Sequence, residues 1–90
     1  MDNILDTKKG IAARVRMRRR EARISQTALA QLSGVSFGSI KRFEGKGEIS
    51  LASLVRIAAV LGYENDFDNL FTRKNYQSID EIIAENRNAQ

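Results

Sequence analysis

Apolar residues recur at helical spacing through most of the chain, in short segments parted by small or polar residues. Ile11, Ala12, Val15 and Ala22 stand at spacings of three, four and seven, which predicts a first helix from about Lys8 to Ala22 capped by Asp6 or Thr7. Residues Met1 to Asp6 lack periodicity and read as a frayed arm. Ser25 is placed to cap a second helix over Gln26 to Ser33, carrying Leu29 and the small Ala30. Gly34 follows where the chain must leave that helix in a left-handed turn. Ser36 caps a third helix, about Phe37 to Glu44, whose Ile40 and Phe43 join Val35 in packing back onto the second. Gly45 to Glu48 reads as a loop. Ser50 opens a fourth helix over Leu51 to Leu61, with Leu51, Leu54, Val55, Ala58 and Leu61 as its apolar stripe and Gly62 as its stop. Asn65 or Asp66 opens a short fifth helix bearing Phe67, Leu70 and Phe71. Finally Ser78-Ile79-Asp80-Glu81 has the form of a capping box, and a last helix, about Ile79 to Asn88, places Ile79, Ile82 and Ile83 on one face. The fold class is all-α. Residues 1–7 are a flexible arm, 8–71 a helical domain and 72–90 a tail with a short helix for dimer or partner contact.

Ninety residues suit one domain with a small core. The chain has no Cys and no His, so it has no disulfide framework or thiolate metal site and lacks the commonest general base and zinc ligand. No paired carboxylates fall at helical spacing on an apolar face. The expectation is a protein that is no enzyme and uses no cofactor and no metal. Met1 to Thr7 contains two acids and no apolar run, and the longest uninterrupted apolar run, Ile57 to Leu61, is far short of a membrane span. A soluble, cytoplasmic protein without a membrane partner is expected.

Charge changes the picture more than composition does. Residues 1–46 carry eleven Lys and Arg against four acids, and residues 47–90 carry four against seven. A basic first half predicts a face for a polyanion, and the mildly acidic second half a face for something else. Within the basic half, the exposed positions of the third helix are Ser36, Phe37, Gly38, Ser39, Lys41 and Arg42. Two helices joined by a short glycine-containing turn, the second with a polar and basic exposed face, form a helix-turn-helix pattern.

The same stretch resembles the Cro/lambda-repressor type of helix-turn-helix domain, the XRE family. The matching residues are Ser25-Gln26, Leu29-Ala30, Gly34-Val35-Ser36, Ile40 and Glu44, continuing through Ile49-Ser50-Leu51, Leu54, Ala58 and Leu61-Gly62. With the helix before them they cover roughly residues 11–63. The resemblance implies a compact five-helix lambda-repressor-like DNA-binding domain, here with an extra C-terminal helix. Arg19 falls on the apolar stripe of the first helix, where an unpaired charge would be prohibitively costly. The resemblance supplies its partner, the glutamate that closes the recognition helix, here Glu44.

The resemblance also implies roles at the DNA. A glutamine matching Gln26 contacts phosphate, consistent with its place at a helix start that favours anions. The first turn of the third helix, Ser36 to Ser39, reaches base edges, with Lys41 and Arg42 as candidates one turn later. Arg42 has the geometry to donate two hydrogen bonds to guanine O6 and N7. Phe37 departs from the polar residue usual at its position. It contacts a thymine methyl group, belongs to a protein interface, or folds back onto the domain. Lys46, between two glycines, is the candidate for a second phosphate clamp, against the alternative of a plain interhelix loop. Among the arginines of the first helix, Arg16, Arg20 and Arg23 share one side and Arg14 and Arg18 another. At least half of these five form a solvated basic face, and one or two contact phosphate, with Arg14 the candidate.

The fifth helix of the family often contributes to a dimer, which makes Phe67 and Phe71 candidate contacts, alongside Tyr76, Ile79, Ile82 and Ile83 of the tail; core closure is the alternative for the phenylalanines. The order of aromatic and apolar residues leading to Ser78–Glu81, and the segment Lys41 to Leu51, resemble small HipB-like antitoxin regulators encoded beside HipA-like kinases. The expected function is a sequence-specific regulator of transcription on double-stranded DNA. It would act as a dimeric repressor on a palindromic operator and as the autoregulator of a toxin–antitoxin pair with a HipA-like kinase toxin. The alternative is a protein-interaction adaptor on a helix-turn-helix scaffold that does not bind DNA.

Overall fold

The computed structural model describes residues 3–74 and 79–89. Six helices follow one another: α1 (Ile4–Glu21), α2 (Gln26–Ser33), α3 (Phe37–Lys46), α4 (Leu51–Leu61), α5 (Glu64–Asp68) and α6 (Ile79–Ala89), with no strand among the described residues. This is the all-helical class expected from the sequence, a helix-turn-helix domain with an extra C-terminal helix.

The starts of α2, α3 and α4 follow from their serines. Ser25, Ser36 and Ser50 accept hydrogen bonds from the backbone N–H groups of Ala28, Ser39 and Ser53 at 3.0, 3.1 and 3.1 Å, satisfying donors that the helix itself cannot. The first helix differs from expectation. It begins at Ile4, a turn before Lys8, because Asn3 is the cap: its Oδ1 accepts from the Asp6 N–H at 2.7 Å. Asp6 and Thr7 therefore lie inside the helix, in residues expected to be a frayed arm. At the other end Ala22 is the C-terminal cap and exposed, not part of the buried stripe.

The centre of the core is Leu29, Val35, Ile40 and Ile57, with Val15, Ile24, Ala30, Ile49, Val60 and Leu61 packed around it. Ala12 and Phe43 are buried beside it, where α1 crosses α3. The stripe on α4 is rotated from the expected one. Ile57 is fully buried, whereas Leu51 and Val55 are exposed. α4 is apolar almost all round, so periodicity alone does not choose its inner face; packing against α2 does.

α3 also runs on through Gly45 and Lys46, which were expected in a loop, and stops at Gly47. Gly47 has two reasons to lack a side chain. Its φ is +75°, and a Cβ there would lie 2.9 Å from the Lys8 carbonyl carbon and Cβ. The end of α3 thus presses on the backbone of α1, and Lys8 and Glu48 form an ion pair beside the contact. α5 starts at Glu64, with no side-chain cap, and ends before Leu70 and Phe71. Phe67 is half-buried, while Phe71 is 98% exposed at a φ of +61°. Tyr76 and Ser78 lie outside the described residues.

Candidate nucleic-acid interface

The charge network under α3 begins with Arg19, which is buried. Its Nε donates to Glu44 Oε2 at 2.7 Å, its second terminal nitrogen donates to Glu44 Oε1 at 2.9 Å, and the first donates to the Ile24 carbonyl oxygen at 2.9 Å. The guanidinium is thus held by a two-point carboxylate contact and by the loop that leads into α2. Gln26 Nε2 donates to Glu44 Oε1 at 3.2 Å, and Arg16 Nε lies 3.8 Å from the same oxygen. Burial alone would push the Glu44 carboxyl up. The hydrogen bonds from Arg19 and Gln26, with the charges of Arg19 and Arg16, outweigh it and hold the group below the ordinary carboxylate value. The hydrogen bond to Glu44 correspondingly raises Arg19. One carboxylate therefore ties α1, α2 and α3 together and orients the first residue of α2.

Above this network lies the outward face of α3. Gly38, Lys41, Arg42, Gly45 and Lys46 line a shallow open surface. Its flank toward α1 continues through Gly45 into Lys9, Arg16 and Arg20, and its flank toward α4 continues through Arg42 and Ser39 to Ser50 and Ser53. The result is one basic strip with six cations: Lys9, Arg16 and Arg20 from α1, and Lys41, Arg42 and Lys46 from α3. At its centre Gly38 and Gly45 stand seven residues apart on the same side, and a Cβ at either would meet nothing within 4 Å. Nothing inside the protein requires glycine there. A helix surface bare of side chains between cations can approach a groove closely.

The residues singled out from the sequence distribute unevenly over this surface. Lys41, Arg42 and Lys46 share it. Ser39 stands on its edge, its hydroxyl accepting from the Ser36 hydroxyl at 2.8 Å and free to donate outward. Ser36 has its oxygen engaged as the helix cap. Phe37, 46% exposed, does not fold back into the core. Gln26 keeps one amide N–H beyond its bond to Glu44.

Arg14 does not belong to the strip. Two residues before Arg16, it points to the opposite side of α1, where with Arg18 it borders an apolar groove between α1, α4 and α5. The phosphate-side candidates on α1 are instead Lys9, Arg16 and Arg20. Sequence spacing had grouped Arg16 with Arg20; which of the two groups adjoins α3 is a fact of helix packing that spacing does not contain.

Among the described residues no group of acidic, His or Cys side chains could hold a metal ion, and no helix is long and apolar enough to cross a membrane. A family model described as helix-turn-helix matches residues 15–65. No curated protein and no solved structure matches the chain. The matched span runs from the middle of α1 to the start of α5 and includes the whole Arg19–Glu44 network and the face of α3. The chain therefore belongs to the Cro/C1-type helix-turn-helix family, the XRE family of DNA-binding transcriptional regulators.

Proposed function

We propose that this protein is a homodimeric repressor that reads a palindromic operator with the outward face of α3. The observation that carries the reading is the basic strip with a bare centre, Gly38 and Gly45 between Lys41, Arg42 and Lys46. Arg42 contacts a guanine in the major groove, with Lys41, Ser39 and Phe37 as further base contacts and Ser36 at the edge of reach. Lys46, Gln26, Arg16 and Arg20 contact phosphates and set the register. A single α3 spans only a few base pairs, so two copies related by a two-fold axis would bind half-sites about one helical turn apart. Repression needs no chemistry: the bound dimer excludes polymerase.

The likeness of Lys41–Leu51 and of the tail to HipB-like regulators extends this reading to an antitoxin that binds a HipA-like kinase and controls their shared promoter. Gel shift on the DNA upstream of its own gene, at several salt concentrations, tests the regulator reading. A salt-dependent complex that random duplex does not compete away is expected. Absence of any complex would favour an adaptor that binds proteins alone, for which the exposed Phe37 would be the natural contact. Co-purification from the native host tests the antitoxin extension, and recovery of a kinase is its expected result.

A further inference from the structure

The side of α1 away from α3 carries a groove of about 360 Å³ between α1, α4 and α5. Val15, Leu54, Ala58, Leu61 and Phe67 make its lining apolar, and Arg14 and Arg18 border it. Elsewhere in the same chain α6 carries an apolar face that the described residues leave largely uncovered. Ile79, Ile82 and Ile83 fall at helical spacing and are 75%, 45% and 43% exposed. The substantial helix packings join α1 to α3 and α4, α2 to α3 and α4, and α4 to α5; none involves α6. A helix of eleven residues is marginal in water by itself, so α6 needs a covering surface, and no other helix of its chain packs substantially on it in this structure.

Charge says which surface. The segment 79–89 holds three acids and one arginine, and Asp80 flanks the isoleucine face in its first turn. On the rim of the groove Arg18 is already held by Glu21 at 2.7 Å, whereas Arg14 has no ion-pair partner among the described residues. Asp66 is the one acid lining the groove, and it comes from α5. The α1 side thus offers a free cation beside an apolar trough, and α6 offers a carboxylate beside an apolar ridge.

We propose that α6 of one protomer docks into the α1–α4–α5 groove of a second copy of this chain, with Asp80 against Arg14. The inference rests on the dimeric reading above and names the surface that makes the dimer. Groove and helix belong to one chain, so a two-fold exchange fills both grooves and covers both helices, a closed isologous assembly. It leaves both α3 faces open, because the groove lies on the opposite side of α1.

Sedimentation of the full chain without DNA tests this. The wild type is expected to dimerise, and Ile82→Asp to be monomeric with α1–α5 still folded, losing at most the helix content of α6. Arg14→Glu and Asp80→Arg should each weaken the dimer about tenfold or more, and Arg14→Glu combined with Asp80→Arg should restore it. A monomeric wild type, which would include α6 folding back on its own groove, overturns the proposal. So does a dimer indifferent to Ile82→Asp, or one not rescued by the exchanged charges. Duplex binding, measured in parallel, keeps the two readings apart. A protein that binds DNA while failing the charge exchange loses only the groove, and one that passes the exchange but binds no DNA loses only the regulator.

Discussion

α3 and α6 are nearly equal in length and each carries a pair or trio of apolar residues on one face, Ile40 and Phe43 in α3 and Ile79, Ile82 and Ile83 in α6, yet they end in opposite circumstances. Ile40 and Phe43 of α3 are 0% and 2% exposed, while Ile82 and Ile83 of α6 remain close to half exposed. The local code is the same; what differs is the surroundings. α3 is met by α1 and α2 and tied by Glu44 to a buried arginine. Among the described residues nothing comparable meets α6. An amphipathic pattern states that a helix will be covered on one side. It does not say by which molecule.

That contrast is most directly broken on the α3 side. Glu44→Ala would leave Arg19 buried without its carboxylate, and a loss of about 3–5 kcal/mol in denaturant unfolding is expected. A large effect is also expected in the core: Ile40→Ala should cost about 2–5 kcal/mol. Ile82→Ala, measured at dilutions where the protein is monomeric, should change stability by less than about 0.5 kcal/mol. Equal effects of Ile40→Ala and Ile82→Ala in the monomer would mean that α6 is packed after all.

Acid sharpens the same point. The folded Glu44 carboxyl is harder to protonate than the unfolded one, so the unfolded chain takes the proton first. Its contribution is complete above the ordinary value of 4.5 and is lost as pH falls below that toward the depressed folded value. Unfolding followed from pH 6 to pH 3 should show this decline, and Glu44→Gln should flatten it.

An effect of opposite sign is expected at the bare centre of α3. Gly45→Ala should raise the stability of the free protein by roughly 0.5–1 kcal/mol, since open space surrounds the new methyl group. The same substitution should weaken DNA binding if the helix lies close in the groove. Unchanged affinity would show that the approach is looser.

Much of the domain is readable from residue types because the relevant physics is local. Ser25, Ser36 and Ser50 mark helix starts through a hydrogen bond three residues on, and Gly34 and Gly62 mark helix ends through their left-handed backbone. Arg19 on an apolar stripe demands a partner wherever it sits. Legibility fails where the deciding fact is tertiary. Asn3 starts α1 early, but Ile4 and Leu5 are exposed and leave no periodic trace. Gly45 and Lys46 look like a loop until Gly47, pressed against Lys8, proves to be the stop. Arg14 and Arg16 are alike in sequence, and only the position of α3 separates them. The face of α3 was legible as a set of residues; its extension onto Lys9, Arg16 and Arg20 was not.

Whether the outward face of α3 reads bases is measured most directly by Arg42→Ala. Its affinity should be compared with wild type on the operator, on operators changed one base pair at a time, and on random duplex. A loss of about 1–3 kcal/mol on the operator, relaxed discrimination at one base pair and near-wild-type binding to random DNA are expected. Equal losses on operator and random duplex would contradict this, because Arg42 would then be a phosphate contact and the reading would lie elsewhere.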